Sequence, residues 1–185
     1  MNAGLEEAVL ITGVYGSGKS SVAQEIAYLL EKGSVPYALL DLDFLGWADT
    51  GDGGRTVWLG VMLRNLAALV DNYLEVGVRF FVLAGAIRDL AELEALKAEL
   101  SMPLRVVRLT VPLREIEDRL RPDPTAGRRD DLRGAASWVA ASVGVGFEDA
   151  TVSNDRPIRE VATDILEWLG WRTTQPPPSG KHRDR

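Results

Sequence analysis

The sequence predicts an α/β protein built on a parallel sheet of five strands, and three observations carry that expectation. Short apolar runs alternate with segments of helical spacing along almost the whole chain. The runs are continuously apolar rather than alternating, as suits strands buried on both faces. A glycine-rich octet, GVYGSGKS at residues 13–20, stands between the first run and the first helix.

The first strand is AVLIT, Ala8 to Thr12. A helix follows from Lys19 to Lys32, with Val22, Ile26, Leu29 and Leu30 at helical spacing, and Gly33 is placed to end it. YALLDLD, Tyr37 to Asp43, reads as the second strand. A long helix runs from Val57 towards Val76 and stops at Gly77. RFFVLAG is the third strand, and DLAELEALKAEL is a helix ending before Met102 and Pro103. LRVVRLTV is the fourth strand and LREIEDRLR the next helix. PDPTAGRRD has the composition of a loop, and a further helix is expected from Asp131 to about Val143. DATVSN is a short fifth strand and IREVATDILEWLG the last helix. Residues 1–172 read as one domain, and residues 173–185, with their run of prolines, read as a disordered tail.

Composition narrows the function. A formal net charge of −6 argues against a nucleic-acid binder, which needs a basic stripe. There is no cysteine, which excludes disulfides and thiolate metal sites. The single histidine, His182, lies in the tail, so acid–base chemistry falls to carboxylates, lysines and arginines. No apolar stretch reaches the roughly 18 residues of a membrane span, and the acidic start lacks a signal peptide's basic region. The expectation is a cytoplasmic protein, monomer or homodimer, with neither nucleic-acid nor membrane partners.

The octet fills G-x-x-x-x-G-K-[ST] with Gly13, Gly18, Lys19 and Ser20, and Gly16 adds a third glycine. Glycines let the backbone turn its N–H groups inward, and the following helix adds the positive end of its dipole. Lys19 then reaches the β- and γ-phosphates of a nucleoside triphosphate, and the Ser20 hydroxyl is a Mg²⁺ ligand. Tyr15, Ser17 and Ser21 complete the expected ATP-binding loop.

With this octet between strand and helix, residues 8–170 resemble the small P-loop kinases of the nucleoside-monophosphate-kinase type. That group includes adenylylsulfate, shikimate and gluconate kinases and several antibiotic phosphotransferases. The resemblance implies a three-layer fold with strand order 2-3-1-4-5, an arginine-bearing lid after the fourth strand, and transfer of the ATP γ-phosphoryl group to a small molecule.

It also implies roles beyond the octet. Asp41 and Asp43 of DLD follow the second strand, at the strand ends where ligands of parallel sheets sit. Because FFVLAG carries no aspartate, Asp41 is expected to supply charge to the magnesium shell, and Asp43 to take the acceptor's hydroxyl proton. The alternative is that one of the two aspartates, Asp43 before Asp41, caps a helix starting near Phe44. Gly85 and Arg88 of AGAIRD, and Trp47, are candidates for the acceptor pocket; Trp58 reads as seating its helix on the sheet. Arg119 and Arg128 are candidate catalytic residues, with Arg121 and Arg129 beside them; salt bridges to nearby aspartates are the plain alternative. Asn154, Arg156 and Pro157 of VSNDRP are expected to border the adenine, with helix capping as the alternative for Asn154. Trp138, Trp168 and Trp171 read as packing residues.

The acceptor is not readable from these motifs. A nucleotide-binding regulator without transfer chemistry, and a nucleotide kinase, remain the alternatives to a small-molecule kinase. Asp41, Asp43 and the arginine loop favour the kinase.

Overall fold

The computed structural model describes residues 6–48, 51, 54–120, 134–141 and 143–171. In chain order these form β1 (Glu7–Thr12), α1 (Lys19–Lys32), β2 (Tyr37–Asp41), α2 (Leu42–Leu45), α3 (Gly54–Glu75), β3 (Phe80–Ala84), α4 (Leu90–Glu99), β4 (Leu104–Thr110) and α5 (Leu113–Leu120). Residues 134–140 are helical (α6), followed by β5 (Ala150–Ser153) and α7 (Ile158–Leu169).

The strands form one parallel sheet in the order β2-β3-β1-β4-β5. β1 is central, with Val9 opposite both Val82 of β3 and Arg105 of β4. Alternate residues of each strand feed opposite faces, and the core divides accordingly. Ala8, Leu10, Phe81 and Leu83 pack against Met62 and Leu66 of α3 and Leu93 and Leu96 of α4. Val9, Ile11, Val82 and Val107 pack on the other side against Val22 and Ile26 of α1 and Val161 and Ile165 of α7. Both faces are covered, which is why the strand sequences are continuously apolar.

A third, small cluster positions the site. Ile116 and Leu120 of α5 and Ala135 of α6 pack against Val14, Tyr15 and Val111, beneath the octet. Lys19, Ser20, Asp41, Asp43 and Asn154 lie at or just beyond the C-terminal ends of strands, where ligands of open parallel sheets bind.

Gly33 stops α1 as expected, at φ −81, and Ser34 after it is left-handed at φ 55. Two sequence expectations are corrected. The second strand ends at Asp41, two residues early, because Asp41 accepts a hydrogen bond from the Asp43 N–H and so caps α2. Trp168 is 43% exposed rather than packed. Trp171 is buried, its ring against Phe80 and its indole N–H on Glu7.

Candidate functional site

Helix α1 starts at Gly18, which has φ +91 and provides no side-chain cap. The first turns of a helix leave N–H groups without partners, and here no acidic residue occupies them. That arrangement costs an isolated helix stability and suits it to an anion. The glycines are required by contact as well as by φ. A Cβ at Gly13 would fall 2.7 Å from the Leu109 carbonyl oxygen, and one at Gly18 would fall 2.5 Å from the Asn154 side-chain nitrogen.

A cleft of about 590 Å³ opens beside this loop. Tyr15, Gly16, Gly18, Lys19, Ser20 and Ser21 form one wall, and Asp43, Arg119, Leu120, Asn154 and Ile158 the rest. Lys19 is largely buried; its Nζ donates to the Val14 carbonyl at 3.2 Å and lies 5.3 Å from the centre of the Tyr15 ring. Gly13 borders a smaller cavity behind the loop, and Ser17 is fully buried.

The Ser20 hydroxyl donates to Asp41 Oδ2 at 2.8 Å, while Asp41 Oδ1 accepts the Asp43 N–H at 3.1 Å. One carboxylate therefore serves both readings of the sequence: helix cap and partner of the octet serine. Asp43, in the first turn of α2, lines the cleft.

Asn154 holds the loop from the far side of the sheet. Its side-chain N–H donates to the Ser17 carbonyl at 2.7 Å, its backbone N–H donates to Thr110, and its backbone carbonyl accepts from Arg119 Nη2 at 2.6 Å. It is buried and does not cap α7, whose N-cap position is Pro157. Ser17 Oγ and Asn154 Oδ1 are buried polar atoms without a hydrogen-bond partner among the described residues. Arg119 also pairs with Glu115, one turn back, at 3.2 Å. It is thus tied to the Asn154 turn, whereas Arg121, Arg128 and Arg129 lie outside the described residues.

Other expected site residues stand apart from the cleft. Arg156, just ahead of α7, pairs with Asp164 and Glu160 of that helix. Trp47 is exposed and stacks on Phe44. Gly85 is buried, and a Cβ there would meet the Leu42 side chain at 2.8 Å, so its close approach serves the seating of α2. Arg88 is exposed, with its guanidinium 5.7 Å from the centre of the Trp138 ring. Trp138 in turn meets Tyr15 edge-on at 5.3 Å.

One polar hub went unread in the sequence. Arg55 donates to both oxygens of Glu92 at 2.8 and 2.7 Å and to the Ala86 carbonyl at 3.3 Å, and lies 3.9 Å above the Trp58 ring. Burial pushes the Glu92 carboxyl up, but the Arg55 hydrogen bonds and the Arg88 backbone N–H outweigh it and hold the group below its ordinary value. The hub fastens the turn after β3 to the start of α3. Nothing in the sequence pairs Arg55 with Glu92, because that contact depends on the sheet order.

No helix among the described residues is long and apolar enough to cross a membrane. No group of three or more histidine, cysteine, aspartate or glutamate residues that could hold a metal ion occurs among them.

No family model matches the chain, and no curated protein matches it by sequence. Solved structures do match. A sugar kinase from Janibacter superposes with a TM-score of 0.65 at 18% identity, covering 89% of this chain and 95% of its own. The tunicamycin resistance protein of Deinococcus radiodurans gives 0.61 at 20% identity, covering 89% and 96%. The Mycobacterium tuberculosis APS kinase, in complex with AMPPNP and APS, gives 0.59 at 23% identity, covering 90% and 98%. At these identities the likeness concerns the fold, and the strand order agrees with it. The chain has the fold of the small P-loop kinases.

Proposed function

We propose that the protein is an ATP-dependent phosphotransferase that moves the γ-phosphoryl group to a hydroxyl of a small molecule. The observation that carries this reading is the Ser20–Asp41 hydrogen bond at 2.8 Å, in a connection that also brings Asp43 to the Lys19 cleft. A site that only held Mg²⁺-nucleotide would use Asp41 but would need no second carboxylate, Asp43, lining the cleft. The likeness to a sugar kinase and to APS kinase bound to AMPPNP and APS supports both halves of the reading.

The donors present fit Mg²⁺. Ser20 Oγ and Asp41 Oδ2 are hard oxygen donors, and Mg²⁺ takes one or two protein oxygens when phosphates and waters complete its shell. They would hold the ion, which when bound neutralises charge on the β- and γ-phosphate oxygens.

The chain's own residues do the rest. The open N–H groups at the start of α1 and the Lys19 ammonium hold the phosphates, with Tyr15, Gly16, Ser17 and Ser21 shaping the loop. Asp43 orients the acceptor hydroxyl and takes its proton. The acceptor oxygen bonds to the γ-phosphorus as the bond from that phosphorus to the bridging β-phosphate oxygen breaks, and ADP leaves with the electron pair. Arg119, tied to Asn154 and lining the cleft together with Ile158, belongs to the base side of the nucleotide. Arg128 remains the lid arginine of this proposal, placing its charge on the transferred group.

The test follows ADP formation from Mg²⁺-ATP over sugars, sugar acids, nucleosides and aminoglycosides, alongside ATP-dependent thermal stabilisation. The expected result is stabilisation that Lys19→Ala removes, and acceptor-dependent ADP formation. Stabilisation with no acceptor-dependent ADP in any class would leave the nucleotide-binding regulator instead.

A further inference from the structure

Resting on the phosphotransferase reading, we infer that the stacked pair Phe44–Trp47 is a platform for the acceptor, and that the acceptor carries an uncharged planar ring next to its reacting hydroxyl.

These are the most exposed aromatic side chains among the described residues, Phe44 at 66% and Trp47 at 77%, and they stack with ring centres 5.5 Å apart and planes within 22°. A solvated helical turn does not call for two large rings, and an exposed aromatic patch marks a contact surface. What singles this one out is its place in the chain, on the turn whose Asp43 lines the cleft. Phe44 directly follows Asp43, and Trp47 lies one turn on, its N–H bonded to the Phe44 carbonyl at 3.2 Å.

The turn that carries the pair is anchored at three points. Leu42 is buried and packs where Gly85 has no side chain. Asn65 donates to the Leu45 carbonyl at 2.7 Å. Gly46 lies so close to Trp58 that a Cβ would fall 2.3 Å from the indole nitrogen. The inner side is therefore committed to the body, while the outer aromatics are left facing water. Binding groups held on an anchored element need little ordering when a ligand arrives.

The chemistry of the occupant follows. Parallel rings offer a flat face that suits another planar ring. The Asp43 and Asp41 carboxylates close by disfavour an anionic group at that position. A hydroxyl one or two bonds from the ring would then fall within reach of Asp43.

The matched probes are 4-nitrophenyl β-D-glucoside and methyl β-D-glucoside, which differ in the aryl ring. The first readout is the indole N–H resonance of Trp47 in the full chain, assigned by its loss in Trp47→Phe. The aryl glucoside should shift that resonance saturably, about tenfold more tightly than the methyl glucoside, as stacking on an aromatic side chain gives. The double variant Phe44→Ser with Trp47→Ser should lose the aryl preference, read on the sugar's own resonances, while keeping its thermal stabilisation by Mg²⁺-ATP. No saturable shift, or equal affinity for the two glucosides, overturns the inference. So does a dimer that the double variant dissociates while neither glucoside moves the resonance, because the pair would then join two copies of the chain. A saturable aryl-dependent shift without ADP formation from any acceptor would sustain the platform and sink the phosphotransferase reading. ADP formation without the shift would do the reverse.

Discussion

Ser20 and Asp41 meet at 2.8 Å although the strands that lead to them, β1 and β2, are not neighbours; β3 runs between them. The contact exists because Asp41 is the last residue of β2 and Ser20 stands in the first turn of α1 beyond β1, both at the C-terminal edge of the sheet. It joins the hydroxyl of the octet to a carboxylate that no local pattern pairs with it.

Asp41→Asn keeps an oxygen to cap α2 but removes the charge. The Mg²⁺ concentration needed for half-maximal ATP stabilisation should rise by about tenfold or more, the usual scale for groups supporting a metal site. Asp41→Ala should in addition lower the apo stability by about 1 kcal/mol through the lost cap. A magnesium titration of thermal unfolding, run on both variants, checks both effects. An unchanged requirement in Asp41→Asn would confine the residue to capping.

Asp43→Asn should leave ATP binding intact and lower acceptor phosphorylation by about 10²–10⁴-fold, the range for loss of a general base. Slow hydrolysis of ATP by water should fall less, since water needs no oriented acceptor. The ratio of transfer to hydrolysis in the same variant is the measurement. Equal losses in both would move Asp43 to the metal.

Asn154→Ala leaves the buried Ser17 carbonyl without its donor and should cost about 1–3 kcal/mol of stability. ATP affinity should fall with it, because the loop is held by that bond. Gly18→Ala should abolish ATP stabilisation, since φ is +91 and the new Cβ would strike Asn154. Denaturant unfolding with and without Mg²⁺-ATP separates the two effects.

Glu148 supplies a pH-dependent prediction remote from the cleft. Burial pushes its carboxyl up, but backbone N–H groups of its own loop and the Arg108 guanidinium, at 2.6 Å, lower it from 4.5 to about 2. A depressed carboxyl stabilises the fold above its unfolded value and loses that contribution as pH falls through the folded one. Glu148→Gln should therefore cost about 2–3 kcal/mol at pH 7. The difference from wild type should shrink from about pH 4.5 downward and be mostly lost by about pH 2. A gap that kept its full neutral-pH size at that acidity would mean the loss is steric.

The sheet and its helices were legible because they obey simple periods. Val22, Ile26 and Leu30 repeat at helical spacing, and VLI of β1 is apolar on both faces because both faces are covered. The strand order came from resemblance, not from any period. Helix α2 was legible only as an alternative, a helix near Phe44 capped by one of the two aspartates, because four residues are too few for a helical repeat; DLD read as strand to its end. Asn154 read as a residue bordering adenine or capping a helix; its bond to Ser17 spans 137 positions and could not be inferred locally. Arg119 read as part of a lid, and its tie to the Asn154 carbonyl became visible only once α5 and the β5–α7 turn met. Arg55 and Glu92 pair for the same long-range reason.

The bond between Ser17 and Asn154 has a consequence for how the protein comes into being. A ribosome delivers the glycine-rich loop among the first residues and the asparagine that braces it 137 positions later. At roughly 5–20 residues per second, the loop waits on the order of 10 s for its brace. A nascent chain halted before β5 would carry the complete octet and yet lack the hand that holds it in shape. The loop thus reaches its braced form only once synthesis has passed the fifth strand.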